Sequence, residues 1–346
     1  MTAAPRPVRL HSDFRDRLPR IIPVFIFLLA SSFACSAWAS DRDDAFGVLV
    51  MAHGGSEEWD QAVLDAVEPL REEYPLEVAF GMADASTIEE AVRKLEAANI
   101  ERIGVVRLFI SGESWYERTE QILGLLEGAP SAHEFHRAAE THGGHSEHGD
   151  HGGETGDNQA GHGSNGDQDD GGHHMAPFFR IDTEASFALS TEGLAQAAEM
   201  NEVLFTRARE LSRAPESEDL LFLAHGPGDD AENERWIATI NERADLLRRE
   251  ILFRRVEVMT LREDWPEKRE AAEDRIREFV KRANEEGGQA IVIPYRVFGF
   301  GPYAEVLEDM EYTSDGQGLI PHEAVTRWVD LQANELREDR FRQPIH

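Results

Sequence analysis

The stretch Phe46-Gly-Val-Leu-Val-Met-Ala-His53 decides the fold of this chain. It is a continuous apolar run, which is typical of a β-strand buried on both faces of a parallel sheet. Gly54 ends the run, and Ser56 is a residue type that caps helices. A second stretch, Asp219-Leu-Leu-Phe-Leu-Ala-His225, repeats the pattern and also ends in Ala-His-Gly. The two runs predict that the chain contains one structural unit twice.

Strands alternate with helices after each of these runs, which predicts parallel sheets with right-handed crossovers. We therefore predict an α/β fold of two similar domains, each a parallel sheet flanked by helices, related by internal duplication. The predicted strands that follow the two opening runs are 76–80, 102–110, 256–264 and 290–297. The predicted helices are 56–73, 87–98, 114–126, 230–250 and 266–286.

The duplication divides the chain into five predicted segments. Residues 1–39 form a signal peptide, residues 40–128 the first repeat and residues 129–176 a disordered His-rich insertion. Residues 177–212 hold the last strand and helix of the first repeat, and residues 213–346 form the second repeat. A strand is expected at 177–182 and a helix at 191–212. Because an internal duplication can replace a homodimer, we expect a monomer.

The N-terminus has the order of a secretory signal. Arg15, Arg17 and Arg20 precede an apolar run over 21–33, and Ala37-Trp-Ala39 fits a cleavage site. This pattern predicts export to the periplasm or cell envelope, with no stable membrane span after cleavage. An uncleaved anchor is the alternative, although the run is short for a membrane span.

The charge of the chain narrows the classes of ligand. The net charge is -32, which argues against nucleic acid as a partner and is compatible with cations. A well-solvated surface explains the same acidity. Cys35 is the only cysteine and lies within the signal segment, so the mature chain has no thiolate metal site.

His53 and His225 are the first candidate site residues. Ligands of parallel α/β sheets lie outside the carboxyl ends of the strands, where both histidines are expected. A neutral imidazole there can bind a metal or accept a proton near pH 7. The alternative is a structural role, in which each histidine caps a helix or bonds to a neighbouring loop.

The two motifs Met51-Ala-His-Gly-Gly-Ser56 and Leu223-Ala-His-Gly-Pro-Gly228 resemble the first strand of the CbiX-type sirohydrochlorin chelatases. The stretches Val106-Arg-Leu-Phe-Ile-Ser-Gly112 and Val292-Ile-Pro-Tyr-Arg-Val-Phe-Gly299 add to the resemblance, as does a His-rich linker. The resemblance implies insertion of Co²⁺ or Fe²⁺ into a tetrapyrrole without ATP. It also implies that His53 is the first metal-binding histidine of the family.

The chain departs from the family after the third strand of each repeat, where a second histidine is usual. Glu113 stands in this region of the first repeat and is expected to act as an oxygen ligand or base, or to complement a helix dipole. Tyr303 of the second repeat is expected to contact a macrocycle or to pack in the core. His322 is a candidate replacement ligand, or the cap of a helix that begins near Glu323.

Further side chains are assigned as helpers and as a metal store. Asp84 and Asp264 end the second strands and are expected to support the site or to cap the next helices. Nine histidines fall between residues 133 and 174. Among them, a regular spacing of three residues relates the candidate ligands His142, His145, His148 and His151. Such a segment suits Ni²⁺, Zn²⁺, Co²⁺ or Cu²⁺ as storage, unless it is only a solvated spacer.

The sequence thus predicts an exported tetrapyrrole metallochelatase, a lyase that uses histidine as metal ligand and base. The alternative is a non-catalytic envelope protein that binds a metal or a tetrapyrrole on the same scaffold. The family resemblance favours the enzyme, and the export signal favours the binding protein.

Overall fold

The computed structural model describes residues 45–142 and 176–345. The predicted signal segment, residues 143–175 of the insertion and hence His145, His148 and His151 lie outside the described residues. The described residues all belong to one compact unit. Within them, no helix combines the length and the apolar character needed to cross a membrane.

The first repeat builds a parallel sheet with the strand order β2-β1-β3-β4. Its central strand β1 is buried along its whole length, as its continuous apolar sequence predicts. The strands are β1 (Phe46–Ala52), β2 (Leu76–Phe80), β3 (Arg102–Leu108) and β4 (Ser186–Leu189). The helices are α1 (Glu57–Val67), α2 (Ala85–Ala97), α3 (Tyr116–Ile122), α4 (Ala132–His142) and α5 (Met200–Leu211).

The second repeat builds a parallel sheet with the order β6-β5-β7, so its opening strand is again flanked by the two strands that follow it. This shared order confirms the predicted α/β class and is the topology that a duplication would give. The strands are β5 (Glu218–Ala224), β6 (Arg255–Thr260) and β7 (Gln289–Tyr295). The helices are α6 (Asp230–Glu250), α7 (Pro266–Glu285), α8 (Tyr303–Val306) and α9 (Glu323–Arg337).

A single apolar core joins the two repeats. Alternate residues of β1, such as Val48 and Val50, enter this shared core together with Phe222 of β5. The intervening residues face the other side of each sheet, where each repeat has a core of its own. Both faces of the central strands are therefore covered, which explains why their sequences lack the polar alternation of a half-exposed strand.

The last helix of each repeat packs against the sheet of the other repeat. Helix α5, from the first repeat, contacts β7 and α6, and helix α9, from the second repeat, contacts β3 and α1. Tyr74 donates a hydrogen bond to Asp330 of α9 at 2.9 Å. Beyond α9, Arg342 and Phe187 of β4 exchange backbone hydrogen bonds of 2.9 Å in both directions. The repeats are interlocked rather than merely adjacent.

The predicted strand at 177–182 is wrong. Arg180 forms only an isolated bridge to Ser131, and the strand that extends the sheet is β4, which pairs with β3 from Arg102 onward. The predicted helix over 191–212 also begins later, at Met200. The reason is that the backbone amides of Leu194 and Ala195 bond to carbonyls at the end of the third strand, which holds this segment out of a helix.

The start of the insertion differs from the prediction of disorder, because residues 132–142 form helix α4. Ser131 and Glu134 make a reciprocal capping box, in which the Ser131 amide donates to the Glu134 carboxylate at 3.0 Å and the Glu134 amide to the Ser131 hydroxyl at 3.3 Å. Phe135 then anchors the helix on Phe179, with ring centroids 5.2 Å apart. His142 is the last residue of this helix.

Candidate functional site

A cleft lies where β1 and β5 end, and both repeats contribute to it. The first repeat supplies His53, Trp59, Phe109, Glu113 and Trp115 to its lining. The second repeat supplies His225, Glu232, Trp236, Asp264, Trp265 and Arg296. The cavity is about 290 Å³ and opens to solvent, which is just below the roughly 300–1,000 Å³ that is usual for small-molecule sites. It suits a flat ligand that is held in part and projects into water.

His53 lies at the cleft in a defined orientation. Its Nδ1 is 2.6 Å from the carbonyl oxygen of Gly54, and because a carbonyl only accepts, Nδ1 carries the proton. In the neutral ring the lone pair then belongs to Nε2. The imidazole stacks on Trp59, with centroids 4.8 Å apart and planes 8° apart. Trp59 in turn stacks on Phe298 of the second repeat, so the ring plane of His53 is set by both halves.

His225 has the same backbone setting but a different partner. Its Nδ1 is 2.8 Å from the carbonyl oxygen of Gly226, and its Nε2 is 3.1 Å from a carboxylate oxygen of Asp264. Both partners are acceptors, so both ring nitrogens donate when the ring is protonated. Burial lowers the pKa of His225, but the hydrogen bond to Asp264 and the charges of Glu263 and Asp264 outweigh burial and raise it. The site therefore favours an imidazolium.

The glycine after each histidine produces this shared geometry. Gly54 has a φ of 70° and Gly226 a φ of 79°, which is the left-handed region that favours glycine. The turn brings the carbonyl of the glycine back onto the preceding imidazole in both repeats. The turn after each Ala-His pair thus fixes the orientation of the imidazole, with Nδ1 directed at the glycine carbonyl.

Four tryptophans form most of the aromatic wall, and each is partly buried. Trp59 and Trp115 come from the first repeat, and Trp236 and Trp265 from the second. The ring of Trp265 meets that of His225 edge-on at 6.2 Å. Tryptophan offers a large flat surface for stacking, so this wall suits a planar aromatic ligand.

Glu113 lies at the rim of the cleft and is tied across the two repeats. It accepts two hydrogen bonds from Arg235 of α6, at 2.9 Å and 2.7 Å. The hydrogen bond from Arg235 lowers the pKa of Glu113, which keeps it a carboxylate. As it stands, Glu113 is a weak base and a rim contact between the halves.

A buried arginine holds the loop that carries Glu113. The guanidinium of Arg107 on β3 donates to the carbonyls of Gly112, Ser114 and Ser190 at 2.6 to 3.0 Å. Burial lowers its pKa to about 10, so it remains charged near neutrality. The clamp supports Trp115, whose φ of 59° is unusual for a bulky residue.

Two predicted site residues do not line the cleft. Tyr303 is fully buried, packs edge-on against Phe300 at 5.6 Å and therefore cannot contact a macrocycle. His322 caps α9, because its Nδ1 accepts the amide of Ala324 at 3.1 Å. The ligand role predicted for His322 is thus wrong in this structure, because His322 does not line the cleft and because its Nδ1 accepts, so that Nε2 carries the proton of the neutral ring.

The two aspartates that follow the second strands have different roles. Asp84 caps α2 by accepting the amide of Ser86 at 2.7 Å. Asp264 instead lies beside His225 at the cleft, which is the first of the two roles expected for it, support of the site. In the described part of the chain, no group of three or more histidine, cysteine, aspartate or glutamate side chains is arranged to hold a metal ion.

The sequence reasoning missed the tryptophan wall and Glu232. Trp115 and Trp265 each follow the carboxyl end of a predicted strand, in the same loops as Glu113 and Asp264, and that position was a usable signal. Trp59 and Trp236 lie on helices α1 and α6, where their spacing reads equally well as packing. Only the folded chain shows that they face one cleft.

The fold and the cleft define a duplicated α/β protein with a histidine at the same strand end of each repeat. Residues 47–145 match the family model CbiX, which confirms the resemblance to the CbiX-type chelatases over this part of the chain. No curated protein matches the chain.

Solved structures extend the comparison to most of the chain. SirB from Bacillus subtilis with Fe³⁺ aligns at a TM-score of 0.54 and 12% identity, covering 85% of this chain and 96% of SirB. The sirohydrochlorin chelatase SirB from Bacillus subtilis subspecies spizizenii in complex with cobalt aligns at a TM-score of 0.48 and 14% identity, with coverages of 85% and 95%. At 12% identity, the first of these matches establishes the fold alone.

Proposed function

We propose that this protein inserts a divalent metal ion into a tetrapyrrole, without ATP. The observation that carries the proposal is the cleft itself, which has tryptophan walls and receives a histidine from the same strand end of each repeat. The match of residues 47–145 to the CbiX family supports it. The family resemblance implies a sirohydrochlorin-type macrocycle, with Co²⁺ or Fe²⁺ as the metal substrate.

His53 is assigned the delivery of the metal. Its Nδ1 proton is committed to Gly54, so in the neutral ring the Nε2 lone pair can bind a borderline cation or accept a pyrrole proton. The backbone carbonyl that orients the ring is the usual support of a ligating histidine. The remaining ligands of the metal would come from water and then from the pyrrole nitrogens.

His225 is assigned the protons that insertion releases. Metal insertion replaces the pyrrole N–H protons, so each turnover needs groups that carry protons away. To accept a pyrrole proton, His225 first releases its own proton to water, and its raised pKa and the carboxylate of Asp264 at 3.1 Å then favour the uptake. To bind a metal instead, His225 would have to lose that proton and its contact with Asp264.

The place of action and the metal store complete the proposal. The signal-like N-terminus supports export to the periplasm or cell envelope. The His-rich insertion is proposed to hold Ni²⁺, Zn²⁺ or Co²⁺ for loading. Replacing residues 143–174 by a Gly/Ser linker should lower the metal stoichiometry of the purified chain while helix α4 stays. An unchanged stoichiometry would make the insertion a spacer.

The test of the enzymatic function is direct. The mature chain is incubated with Co²⁺ or Fe²⁺ and a metal-free tetrapyrrole, first sirohydrochlorin and then a dicarboxylic porphyrin, and insertion is followed by absorbance. We expect acceleration over a protein-free control. The variant His53→Ala should lower the rate by about a hundredfold, the usual size of a lost ligand or base.

The matched control is His133→Ala, because His133 is an exposed histidine on α4 outside the cleft. It should insert metal at the rate of the unchanged chain. Absence of acceleration with both macrocycles, or equal rates for the two variants, contradicts the enzymatic proposal. Macrocycle binding without insertion would identify the protein as the non-catalytic binding protein.

A further inference from the structure

The carboxylates of the cleft outnumber its cations. Glu113, Asp229, Glu232 and Asp264 all line it, whereas the cations among its lining residues, in the part of the chain that the structure describes, are Arg296 and the imidazolium of His225, which is paired with Asp264. A site built for a polyanion would show the opposite balance, with arginines or lysines facing the ligand. The cleft therefore disfavours ligands with many negative charges.

The nearby cations are already paired. Arg296 bonds to Glu263 and lies over the ring of Tyr303, with its guanidinium carbon 5.6 Å from the ring centre. Arg235 holds Glu113 through two hydrogen bonds. Each would have to give up a carboxylate of the protein before it could take one from a ligand, which removes most of the gain.

The carboxylates also disturb one another. Burial and, after it, the charge of Glu113 raise the pKa of Glu232, so a further negative charge beside these two side chains is unfavourable. Asp229 is fixed in place because it caps α6, accepting the amide of Glu232 at 2.8 Å. A ligand carboxylate brought to this wall would meet like charge in a partly desolvated site.

Sirohydrochlorin carries acetate and propionate side chains around its rim, so it is among the most anionic tetrapyrroles. Resting on the proposed metal insertion, and departing from the sirohydrochlorin-type macrocycle that the family resemblance implies, we propose that the cleft selects tetrapyrroles with few carboxylates, of the dicarboxylic porphyrin type, over octacarboxylic ones. The tryptophan walls hold the apolar face and edge of the macrocycle, and the few carboxylates point to the open side. Glu113 and Glu232 act as specificity-determining residues, because Glu113 occupies Arg235, which would otherwise bind a carboxylate of the rim, and Glu232 repels such a carboxylate.

The experiment measures binding to the metal-free mature chain by quenching of tryptophan fluorescence. The probes are mesoporphyrin (dicarboxylic), coproporphyrin (tetracarboxylic) and uroporphyrin (octacarboxylic), each without metal. We expect the affinity to fall in that order, with mesoporphyrin bound at least about tenfold more tightly than uroporphyrin, or ~1.4 kcal/mol. Raising the salt concentration should narrow the difference, because it screens the repulsion.

The double variant Glu113→Gln/Glu232→Gln should bind uroporphyrin about tenfold more tightly and leave mesoporphyrin nearly unchanged. Its matched control is Glu72→Gln/Glu216→Gln. These glutamates are exposed and precede β2 and β5, away from the strand ends that form the cleft. The control has the same net charge as the double variant and should bind all three porphyrins as the unchanged chain does.

The outcomes separate the two proposals. If uroporphyrin binds as tightly as mesoporphyrin or more tightly, the selection is wrong and the tetrapyrrole function stands. If the control variant improves uroporphyrin binding as much as the cleft variant does, net charge and not the cleft decides, and the selection is wrong. If none of the three binds, the tetrapyrrole function fails and the selection fails with it.

Discussion

At the level of single residues, the two Ala-His-Gly turns share a backbone and differ in chemistry. Each histidine bonds through Nδ1 to the carbonyl of the glycine that follows it. His53 then stacks on Trp59, whereas His225 meets Asp264. Both repeats contain the turn that orients the imidazole. They differ after the second strand, where the second repeat places the carboxylate of Asp264 beside His225.

The glycines of the turns are expected to differ in their tolerance of a side chain. An alanine at either position adopts a left-handed φ, which costs about 1–2 kcal/mol. At Gly226 the added Cβ would also lie 2.5 Å from the Cβ of Thr260, against 3.0 Å from the Cβ of Phe80 at Gly54. Gly226→Ala should lower the free energy of unfolding by about 3 kcal/mol. Urea unfolding measures the difference, and equal losses for Gly54→Ala and Gly226→Ala would argue against these close contacts.

The ion pair of His225 makes a pH-dependent contribution to stability. The pKa of His225 is raised in the folded protein by Asp264 and Glu263 against the opposing effect of burial. The folded state thus binds the proton more tightly, so the contribution is complete below the ordinary pKa of 6.5 and is lost as pH rises through the raised value. Stability should fall across that window in the unchanged chain and less in Asp264→Asn.

Proton NMR of the His225 ring gives an independent reading. Its titration should lie above that of His322, whose pKa is lowered by burial and by the nearby arginines. A titration of His225 below that of His322 would show that burial outweighs the carboxylates.

At the level of elements, the sequence predicts strands and helices better than it predicts partners. The apolar runs of β1 and β5 were readable because strands buried on both faces have no polar alternation. The amphipathic pattern of α9 shows that one face is buried, but not that β3 of the other repeat covers it. Helix α4 was not predicted, although Ser131 and Glu134 have the spacing of a capping box. The His- and Gly-rich composition that follows them indicated disorder for the whole segment.

The candidate site, like the fold, can be predicted from the sequence only in part. The strand-end histidines follow from topology, since the carboxyl ends of parallel strands meet at one edge. The partner of each histidine depends on distances across the fold, and no local pattern distinguishes Asp264, which meets His225, from Asp84, which caps a helix. The same limit applies to His322, because the sequence does not distinguish a histidine that binds a metal from one that caps the following helix.

Because α9 packs against the sheet of the first repeat, we expect its buried tryptophan, Trp328, to stabilise the fold. Trp328 is almost fully buried in the core that joins the repeats, and Leu331 on the same helix is half exposed. Trp328→Ala should lower the free energy of unfolding by about 3–5 kcal/mol. Leu331→Ala should change it by less than about 1 kcal/mol. Chemical denaturation compares the two variants, and similar losses would indicate that α9 does not bury the face described.

At the scale of the whole molecule, the two repeats share a hydrophobic core, whereas separate domains usually each have a core of their own. The core that contains Val48 of β1 also contains Phe222 of β5 and Trp328 of α9. Gly104 on β3 lies so close to α9 that an added Cβ would be 3.2 Å from the Cβ of Leu336. The cover of one face of each sheet is completed by a helix from the other repeat, so the cleft between the strand ends depends on both halves being folded.

Interlocking therefore predicts that the two repeats unfold together. Chains of this length commonly unfold domain by domain, and two independent repeats would give two transitions. Here the loss of α9 uncovers one face of β3, and the loss of α5 uncovers one face of β7, so we expect neither repeat to be stably folded alone. We expect one urea transition, with coincident midpoints for far-UV circular dichroism and tryptophan fluorescence, and both midpoints should shift together in Trp328→Ala. Residues 40–212 expressed alone should fail to give a cooperative transition, because α9 is missing from their sheet. Separate transitions, or a cooperatively folded first half, would mean that the exchanged helices add little and that the cleft is an interface between independent domains.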